Sequence, residues 1–579
     1  MKSSKSKKSK RSAQAAVTVE TAPRRPFWPF AAGMALALFV VFEVYWPAIH
    51  GPFLLDDTHL QYMLPGAERA PLSDWIRGLR PLLMFSYWLN FQQSGVQDTF
   101  SYHVTNVFLH FFNGIFILLA VRKVLSRAAV EKQNCWIFSI FAAGLFLLHP
   151  LQTESVTYIA SRSETLSIFW VLAALTVFLY GTADGRALSL PGVLAILLIF
   201  GAAVLTKEHT VLLPVLLLVT DYYWNPGFSL AGIRRNWKLY VPILAGCAIA
   251  VLYVLRILRY GGTAGFHVWG LPWYTYFFTE CRVIWAYLRL FLLPFGQNLD
   301  PQITLSRNVF ADGSVFGLAG LLGVTVAAWI YRRRFPLASY GWFIFIILLG
   351  PTSSFVPIRD PMAERRLYLP FIGLLFITVE FLRRWRTSRN TLVAVLAVVL
   401  VAESVLTYQR NQLWASAIDI WKDTVSKSPK ALRPRFQLAY VEFQAGSCTD
   451  AAADYQVASQ LGRPSDDLYI DWALAYDCAG NSAEALATLQ LAAAHRPSGH
   501  VYSQIGMEYG KIGKYPEALD ALATAQKLNP GFAMTYFYLG NIHSIQGNPA
   551  QAEEDYRRAL ALDPGNQPAL QALARLGAQ

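Results

Sequence analysis

Two adjacent carboxylates, Asp56 and Asp57, follow the first long apolar segment of the chain, residues 28–49. Ionisable side chains at the edge of a hydrocarbon core are costly and tend to mark substrate or ion sites, and neighbouring carboxylates raise each other's proton affinity. A pair of carboxylates also suits Mg or Mn. The alternative is a solvated pair of loop acids, and the sequence leaves a divalent cation unassigned.

The later loops between apolar segments are also rich in ionisable groups. Guanidinium and ammonium groups at a membrane surface suit a phosphate, and a lipid-linked phosphate would present its head group at that depth. The alternative is that these cations pair with neighbouring glutamates or extend to lipid head groups. The candidate phosphate ligands are Arg365, Arg366, Arg162 and Lys207, and the candidate substrate-orienting residues near them are His149, Glu154, Glu164, Glu208, His209, Glu364 and Tyr368.

The composition places most of this chain in a lipid bilayer. Of 579 residues, 54% are hydrophobic and only 15% are charged, which excludes an ordinary soluble protein. Much of the net charge of +13 lies in residues 2–11 and in short loops between apolar segments, as the positive-inside rule predicts. Nucleic-acid binding is not indicated, because no basic and aromatic pattern follows the lysine-rich tail. The first apolar stretch is too long for a signal-peptide core, so we interpret it as a retained span.

Apolar segments of the kind that cross bilayers recur up to residue 410. The segment 276–295 is ambiguous, because Glu280, Arg282 and Arg289 carry more charge than a lipid-exposed span tolerates. The other candidates are 28–49, 102–121, 136–149, 165–180, 191–205, 211–223, 239–255, 315–331, 340–350, 367–382 and 392–408.

The basic loops predict the orientation of these spans. A cytoplasmic lysine-rich tail also puts most later basic loops in the cytoplasm, but loops 332–334 and 383–389 join them only if segment 276–295 does not cross. We therefore predict about eleven spans, a cytoplasmic N-terminus, and polar loops that all open on the extracytoplasmic side together with the C-terminal domain.

Beyond residue 410 the period of the chain changes, and prolines recur every 33 or 34 residues, at Pro464, Pro497, Pro530 and Pro564. This is the period of tetratricopeptide repeats (TPR), which are helix pairs that stack into a solenoid. We therefore predict an all-α protein with a basic cytoplasmic tail at 1–26, a multi-span helical domain at 27–410, and a TPR domain at 411–579 with about four repeats and a cap.

The five cysteines fit neither a disulfide scaffold nor a metal site. Cys448 and Cys478 lie near the inter-helix turns of successive repeats. A disulfide between them is left open and depends on an extracytoplasmic location.

The chain resembles the transmembrane and tetratricopeptide repeat-containing O-mannosyltransferases. The resemblance rests on the acid pair after the first span, on segments 149–164, 206–209 and 363–370, and on the C-terminal repeats. That family belongs to the GT-C glycosyltransferases, multi-span enzymes that take a sugar from a polyprenyl-phosphate carrier on the lumenal or periplasmic side. The resemblance implies a GT-C-like fold for residues 27–410, and inverting transfer of the sugar to an acceptor hydroxyl, with protein Ser or Thr as the expected acceptor.

The resemblance also implies roles for individual residues. The acid after the first span is the base in the family, which corresponds here to Asp56 or Asp57, with Asp57 slightly favoured. The basic candidates would stabilise the departing lipid phosphate, while Glu154 and Glu364 would orient those bases or bind sugar hydroxyls. The TPR domain would bind the acceptor protein or a partner. Because the repeat array is shorter than in animal members, a relative in a bacterial inner membrane is expected, with the sugar and the acceptor left open.

Two other classes of protein remain open. A non-catalytic membrane scaffold would use the TPR domain to organise an envelope or secretion complex, and its polar loops would be structural. A transporter would carry several charges in mid-span and internally repeated halves, for which Glu43 alone is weak support. Membrane lipids are partners under every one of these interpretations.

Overall fold

The computed structural model describes residues 28–182, 185–260 and 264–577. The predicted basic tail, residues 1–26, lies outside the described residues. Within the described ranges the chain forms α-helices and short 3₁₀ turns, and β pairing is limited to one isolated bridge between Ala264 and Ile358. The predicted all-α fold is confirmed.

The part of the chain before residue 415 alternates apolar helices with short polar turns. Its helices are α1 (Trp28–Tyr45), α2 (Leu72–Trp75), α3 (Pro81–Ser94), α4 (Phe100–Arg127), α5 (Lys132–Leu148), α6 (Thr153–Thr157), α7 (Arg162–Gly181), α8 (Leu190–Val204), α9 (Leu213–Trp224), α10 (Ala231–Arg235), α11 (Trp237–Tyr260), α12 (Trp273–Leu292), α13 (Ser314–Ile330), α14 (Pro336–Leu349), α15 (Phe371–Leu382) and α16 (Arg389–Trp414).

Six helical segments in the described part of the chain are long and apolar enough to cross a bilayer, and a bent pair, Lys132–Leu148 with Pro150–Thr157, makes a seventh. Three shorter apolar helices, α8, α14 and α15, accompany them. A multi-helix membrane domain is therefore confirmed, while the count of about eleven spans stays a prediction. The six segments are Trp28–Ala48, Phe100–Arg127, Ile159–Gly181, Trp237–Arg256, Ala311–Ile330 and Arg389–Trp414.

The loops separate into two groups at opposite ends of these helices. At one end, loops predicted to be cytoplasmic meet: Arg389 lies 3.7 Å from Glu131. At the other end, the predicted outer loops meet, as where Lys207 pairs with Glu164. We call this second group the polar end.

Helix α12 contains residues 276–292 of the ambiguous segment and contacts the polar end near both of its own ends. Near its start, the Tyr276 hydroxyl donates to the carbonyl of Thr352 at 2.5 Å. Near its end, the carbonyl of Phe291 lies 3.0 Å from Nε2 of His149. Both contacts are with loops of the polar end, so the geometry favours a helix that runs across that end.

The C-terminal region is a solenoid of helix pairs. Small residues allow the two helices of a pair to pack closely, since a Cβ atom at Gly540 would lie 2.6 Å from the ring of Tyr556. The TPR fold predicted from the proline period is thus confirmed. The helices are α17 (Ala417–Lys427), which joins the membrane domain to the pairs, then α18 (Leu432–Gln444) with α19 (Cys448–Gln460), α20 (Asp466–Cys478) with α21 (Ser482–His495), α22 (Gly499–Lys511) with α23 (Tyr515–Leu528), α24 (Ala533–Ile545) with α25 (Pro549–Leu562), and a final α26 (Gln567–Gly577).

A disulfide links the first two helix pairs. Cys448 begins α19 and Cys478 ends α20, and their Cα atoms are 5.7 Å apart. The pairing that the sequence left open is therefore present in the structure.

Candidate active site

Asp57 is a buried acid that closes the turn after α1. Its carboxylate accepts a hydrogen bond from the backbone N–H of Leu54 at 2.9 Å and one from the hydroxyl of Tyr62 at 3.3 Å. The side chain is fully buried, and burial raises the pKa of Asp57 to about 7. Because both oxygens are engaged and shielded, Asp57 holds the turn closed. This geometry favours Asp56 as the base, against the slight preference for Asp57 that the resemblance gave.

Asp56, the preceding acid, is exposed at the same turn. Its backbone N–H donates to the hydroxyl of Tyr158 at 2.7 Å. Leu55 has a φ of 47°, in the left-handed region that costs a residue with a Cβ atom about 1–2 kcal/mol. Strain of this kind concentrates at functional sites. The turn therefore holds the carboxylate of Asp56 towards solvent.

Arg365 and Glu154 form a partly buried ion pair beside Tyr158. The backbone N–H of Arg365 donates to one Glu154 oxygen at 3.0 Å, and its guanidinium donates to the other. The guanidinium carbon lies 6.0 Å from the ring centre of Tyr158. Burial alone would lower the pKa of Arg365, but the Glu154 carboxylate outweighs it and raises that pKa. Asp56, Tyr158, Arg365 and Glu154 thus form one contiguous group.

Two further ion pairs lie near this group, since the charge of Arg365 acts on both Glu164 and Lys207. Lys207 donates to Glu164 at 2.5 Å and to the hydroxyl of Ser163 at 3.0 Å, while His209 lies 3.6 Å from the same carboxylate. The side chain of Lys207 is 16% exposed. Lys207 thus pairs with a glutamate, the alternative that the sequence left open for the loop cations, and its role as a phosphate ligand stays a prediction.

The third pair joins Arg80 to Glu208. The guanidinium donates to both carboxylate oxygens, at 2.8 Å and 2.9 Å. The electrostatic fields of Glu164 and Glu208 both act on Arg80, so this pair neighbours the pair formed by Lys207. Sequence reasoning did not identify Arg80 as a site residue, because its partner lies 128 residues away.

Arg162 does not join the exposed cations. It is fully buried, and its guanidinium donates to Oδ1 of Asn106 at 2.8 Å, to the Tyr102 carbonyl at 2.9 Å and to the Ser86 carbonyl at 3.0 Å. The ring of Tyr87 covers it at 4.5 Å. These contacts leave no room for a phosphate, so the geometry corrects the expectation that Arg162 binds the donor. Its role is to support the aromatic layer under Asp57.

Arg366 also points away from the group. Its guanidinium donates to the carbonyls of Pro361 at 2.8 Å and Thr352 at 3.2 Å, and to that of Asp360. Arg366 therefore stabilises the loop before Arg365, and its role as a phosphate ligand, which these contacts do not favour, stays a prediction.

Three predicted orienting residues have structural contacts instead. His149 follows α5 and caps the start of the 3₁₀ turn at residues 150–152, with Nδ1 accepting from the Leu151 N–H at 3.2 Å. Tyr368 is buried, with its hydroxyl 3.0 Å from Nδ2 of Asn113. Glu364 is buried and accepts hydrogen bonds from residues 297 and 298. None of the three lies open to a substrate.

Sequence comparisons agree with the predicted resemblance. Over 550 residues the chain is 23% identical to mouse protein O-mannosyl-transferase TMTC3, covering 85% of this chain and 58% of the mouse protein. It is also 23% identical over 411 residues to Caenorhabditis elegans protein O-mannosyl-transferase F38B6.6, covering 66% of this chain and 54% of that protein. The chain is related to the protein O-mannosyl-transferases. It spans little more than half the length of these curated relatives.

The repeat region has its own matches. A tetratricopeptide repeat family model, TPR_16, matches residues 504–567. The crystal structure of YrrB, described as a TPR protein with an unusual peptide-binding site, aligns at 20% identity with a TM-score of 0.24, covering 31% of this chain and 88% of that chain.

The acid pair could bind a metal ion only if its oxygens were free and further ligands lay nearby. Both carboxylate oxygens of Asp57 have hydrogen-bond donors. Across residues 28–182, 185–260 and 264–577, no group of three His, Cys, Asp or Glu side chains is arranged to hold a metal ion. The contacts of the acid pair therefore do not fit a bound Mg or Mn.

Proposed function

We propose that this chain is an integral membrane glycosyltransferase that moves a sugar from a polyprenyl-phosphate-linked donor to a Ser or Thr hydroxyl of an acceptor protein. The names of its relatives favour mannose as the sugar. The observation that carries the proposal is the exposed carboxylate of Asp56, next to Tyr158 and the Arg365–Glu154 pair at the polar end.

Asp56 acts as the base. It takes the proton of the acceptor hydroxyl while the hydroxyl oxygen forms a bond to the anomeric carbon of the sugar. The bond between that carbon and the phosphate oxygen breaks on the opposite face, and the electron pair leaves with the polyprenyl phosphate. Attack on one face and departure from the other inverts the anomeric configuration.

Cations of the polar end stabilise the leaving phosphate, whose negative charge grows as the bond breaks. In the structure Arg365, Lys207 and Arg80 are each paired with one glutamate, so the site is close to neutral before a donor enters. A guanidinium has five N–H donors, and the Arg365 side chain is 25% exposed. Interactions that strengthen as the phosphate gains charge lower the barrier more than they tighten donor binding.

The polar end faces the extracytoplasmic side in this proposal, with the N-terminus in the cytoplasm of a bacterial cell and the TPR domain in the periplasm. Two observations support this orientation. The basic loops gather at the other end, as where Arg384 and Arg383 both pair with Glu380. The Cys448–Cys478 disulfide suits an oxidising compartment.

The TPR domain recruits the acceptor protein or a partner. TPR solenoids present extended concave surfaces to their ligands, and the TPR_16 match at residues 504–567 supports a domain of this kind. The sugar acceptor would then be bound by the same chain that carries the polar end.

The test is a transfer assay on the purified full-length chain in phospholipid nanodiscs. A synthetic polyprenyl-phosphate mannose and a threonine-containing peptide serve as donor and acceptor, and mass spectrometry counts glycosylated peptide. Wild type is expected to transfer sugar, and Asp56→Asn to lose about 10²–10⁴-fold in rate. Asp98→Asn is a matched control, because this exposed acid lies 3.6 Å from His50 and accepts from the Phe100 N–H at 2.9 Å, a hydrogen bond that an amide oxygen keeps.

The alternative of a non-catalytic scaffold makes the opposite forecast. It requires that wild type, Asp56→Asn and Asp98→Asn give equally little transfer from any polyprenyl-phosphate sugar. Transfer that Asp56→Asn abolishes, in a folded protein, would exclude the scaffold.

A further inference from the structure

We infer that the start of the repeat domain positions Arg365, acting through loop 297–302 and Glu364. This inference rests on the proposed function, in which Arg365 faces the leaving phosphate. It makes the repeats part of the catalytic geometry, in addition to any part they have in binding the acceptor.

The first step is the contact between α17 and loop 297–302. Ser428, directly after α17, is buried, and its hydroxyl donates to the Asp300 carbonyl at 2.9 Å and accepts from Nδ2 of Asn298 at 2.8 Å. Lys427 donates to the carbonyl of Gln297 at 2.7 Å. Residues at the end of α17 thus bind both backbone carbonyls and a side chain of loop 297–302.

The second step is the contact between this loop and Glu364. Nε2 of Gln297 donates to one carboxylate oxygen of Glu364 at 3.0 Å, and the backbone N–H of Asn298 donates to the other at 2.7 Å. Glu364 is 2% exposed. A buried carboxylate with both oxygens held by one loop cannot move independently of that loop.

The third step connects the loop to the Arg365–Glu154 pair from both sides. Glu364 precedes Arg365 in the chain. On the other side, Nε2 of Gln297 also donates to the carbonyl of Pro150 at 2.7 Å, and Thr153, next to Glu154, donates to that carbonyl at 2.8 Å. Loop 297–302 therefore binds both the segment that carries Arg365 and the segment that carries Glu154.

Arg433, in the first repeat helix α18, strengthens this connection at the surface. Its guanidinium binds both oxygens of Asp300, at 2.5 Å and 2.6 Å, and donates to Asp360 at 2.9 Å. The backbone carbonyl of Asp360 in turn accepts from Arg366. One side chain of the repeat domain thereby ties loop 297–302 to the segment that leads into Arg365.

The experiment compares Arg433→Met with Arg435→Met in the full-length chain in nanodiscs. Arg435 lies on the same helix and pairs with Asp454 at 2.7 Å, inside the repeats, so it controls for loss of an arginine from α18. The acceptor is a free threonine hexapeptide, and the donor is synthetic polyprenyl-phosphate mannose. Since a shift of about 1 Å in a catalytic group can cost 10²-fold, Arg433→Met is expected to lower kcat about 10-fold with the KM for the hexapeptide unchanged.

Hydrogen–deuterium exchange supplies a readout that does not need activity. Arg433→Met is expected to accelerate exchange in segments 297–302 and 359–370, whereas Arg435→Met leaves both at the wild-type rate. An Arg433→Lys variant keeps the charge without the two-pronged geometry and is expected to recover part of the protection.

The outcomes separate the inference from the function on which it rests. Wild-type exchange at 359–370 in Arg433→Met, or a kcat equal to that of Arg435→Met, overturns the inference. A wild-type chain that transfers no sugar overturns the proposed function, and the exchange rates then still decide whether the repeat domain holds the Arg365 segment.

Discussion

Replacing each of the two neighbouring acids by its amide separates a catalytic role from a structural one. Asp56→Asn removes an exposed carboxylate next to Tyr158, and Asp57→Asn removes a buried one that closes the turn. We expect Asp56→Asn to abolish sugar transfer in a stable protein. We expect Asp57→Asn to retain transfer and to change how stability depends on pH.

The expected loss of rate in Asp56→Asn and the expected change of stability in Asp57→Asn have different origins. Loss of a general base costs about 10²–10⁴-fold in rate. For Asp57, burial raises the pKa from 3.8 to about 7, a difference worth at most about 4 kcal/mol at 1.36 kcal/mol per pH unit. Because the folded-state pKa is the higher one, the stability linked to this group is present below pH 4 and is lost as the pH rises towards 7.

Asparagine stays neutral throughout, so Asp57→Asn avoids that loss. The amide oxygen that the substitution introduces can still accept from the Leu54 N–H. The mismatched hydrogen bond to the Tyr62 hydroxyl lowers the free energy of unfolding by about 1–3 kcal/mol. The variant is therefore expected to be less stable than wild type at pH 4, and to equal or exceed it at pH 8.

The assay is thermal unfolding of the full-length chain, followed by tryptophan fluorescence at pH 4 and pH 8, beside transfer rates at equal concentrations of folded protein. The Tm of wild type should fall further from pH 4 to pH 8 than the Tm of Asp57→Asn. If folded Asp57→Asn loses transfer as severely as Asp56→Asn is expected to, or if Asp56→Asn transfers sugar normally, the division of roles is wrong and the buried acid is the base.

Three further results are expected. Glu154→Gln leaves Arg365 without its carboxylate and should lower transfer about 10²-fold at saturating donor; wild-type rates would show that the pair does not orient the guanidinium. Alkylation without reductant should leave Cys448 and Cys478 unmodified in mass spectra, and Cys448→Ser should destabilise the repeats by about 3–4 kcal/mol in thermal unfolding; full alkylation of the native chain would contradict this. Reporter fusions after Arg334 and at Gln579 should score as cytoplasmic and extracytoplasmic respectively, and a cytoplasmic score at Gln579 would separate the repeats from the proposed outer site.

The repeat domain was predictable because its signals are local. Pro497 and Pro530 recur at the repeat length, and Gly540 stands where a side chain would collide with Tyr556 of the paired helix. Each such signal lies within one period of the chain, so sequence alone reveals it. The apolar helices were predictable for the same reason, since hydropathy is a property of each segment by itself.

The ion pairs at the polar end were only partly predictable. Basic loop residues were expected to bind phosphate or pair with glutamates, and Arg365 does pair with Glu154, 211 residues away. Arg162 has the same residue type and a similar loop position, yet it is buried under Tyr87. Which arginine is exposed depends on how remote helices pack, and no local pattern records that.

The same limit applies to the acid pair, and the geometry of the turn explains why the chain has two acids there. Residues 55–59 form a 3₁₀ turn, in which successive side chains point about 120° apart because there are three residues per turn. When Asp57 points inwards to accept from Leu54, Asp56 must point elsewhere, and here it points to solvent. One acid therefore closes the turn while its neighbour, the proposed base, is presented to solvent, so the two adjacent acids can differ in role although they share one turn.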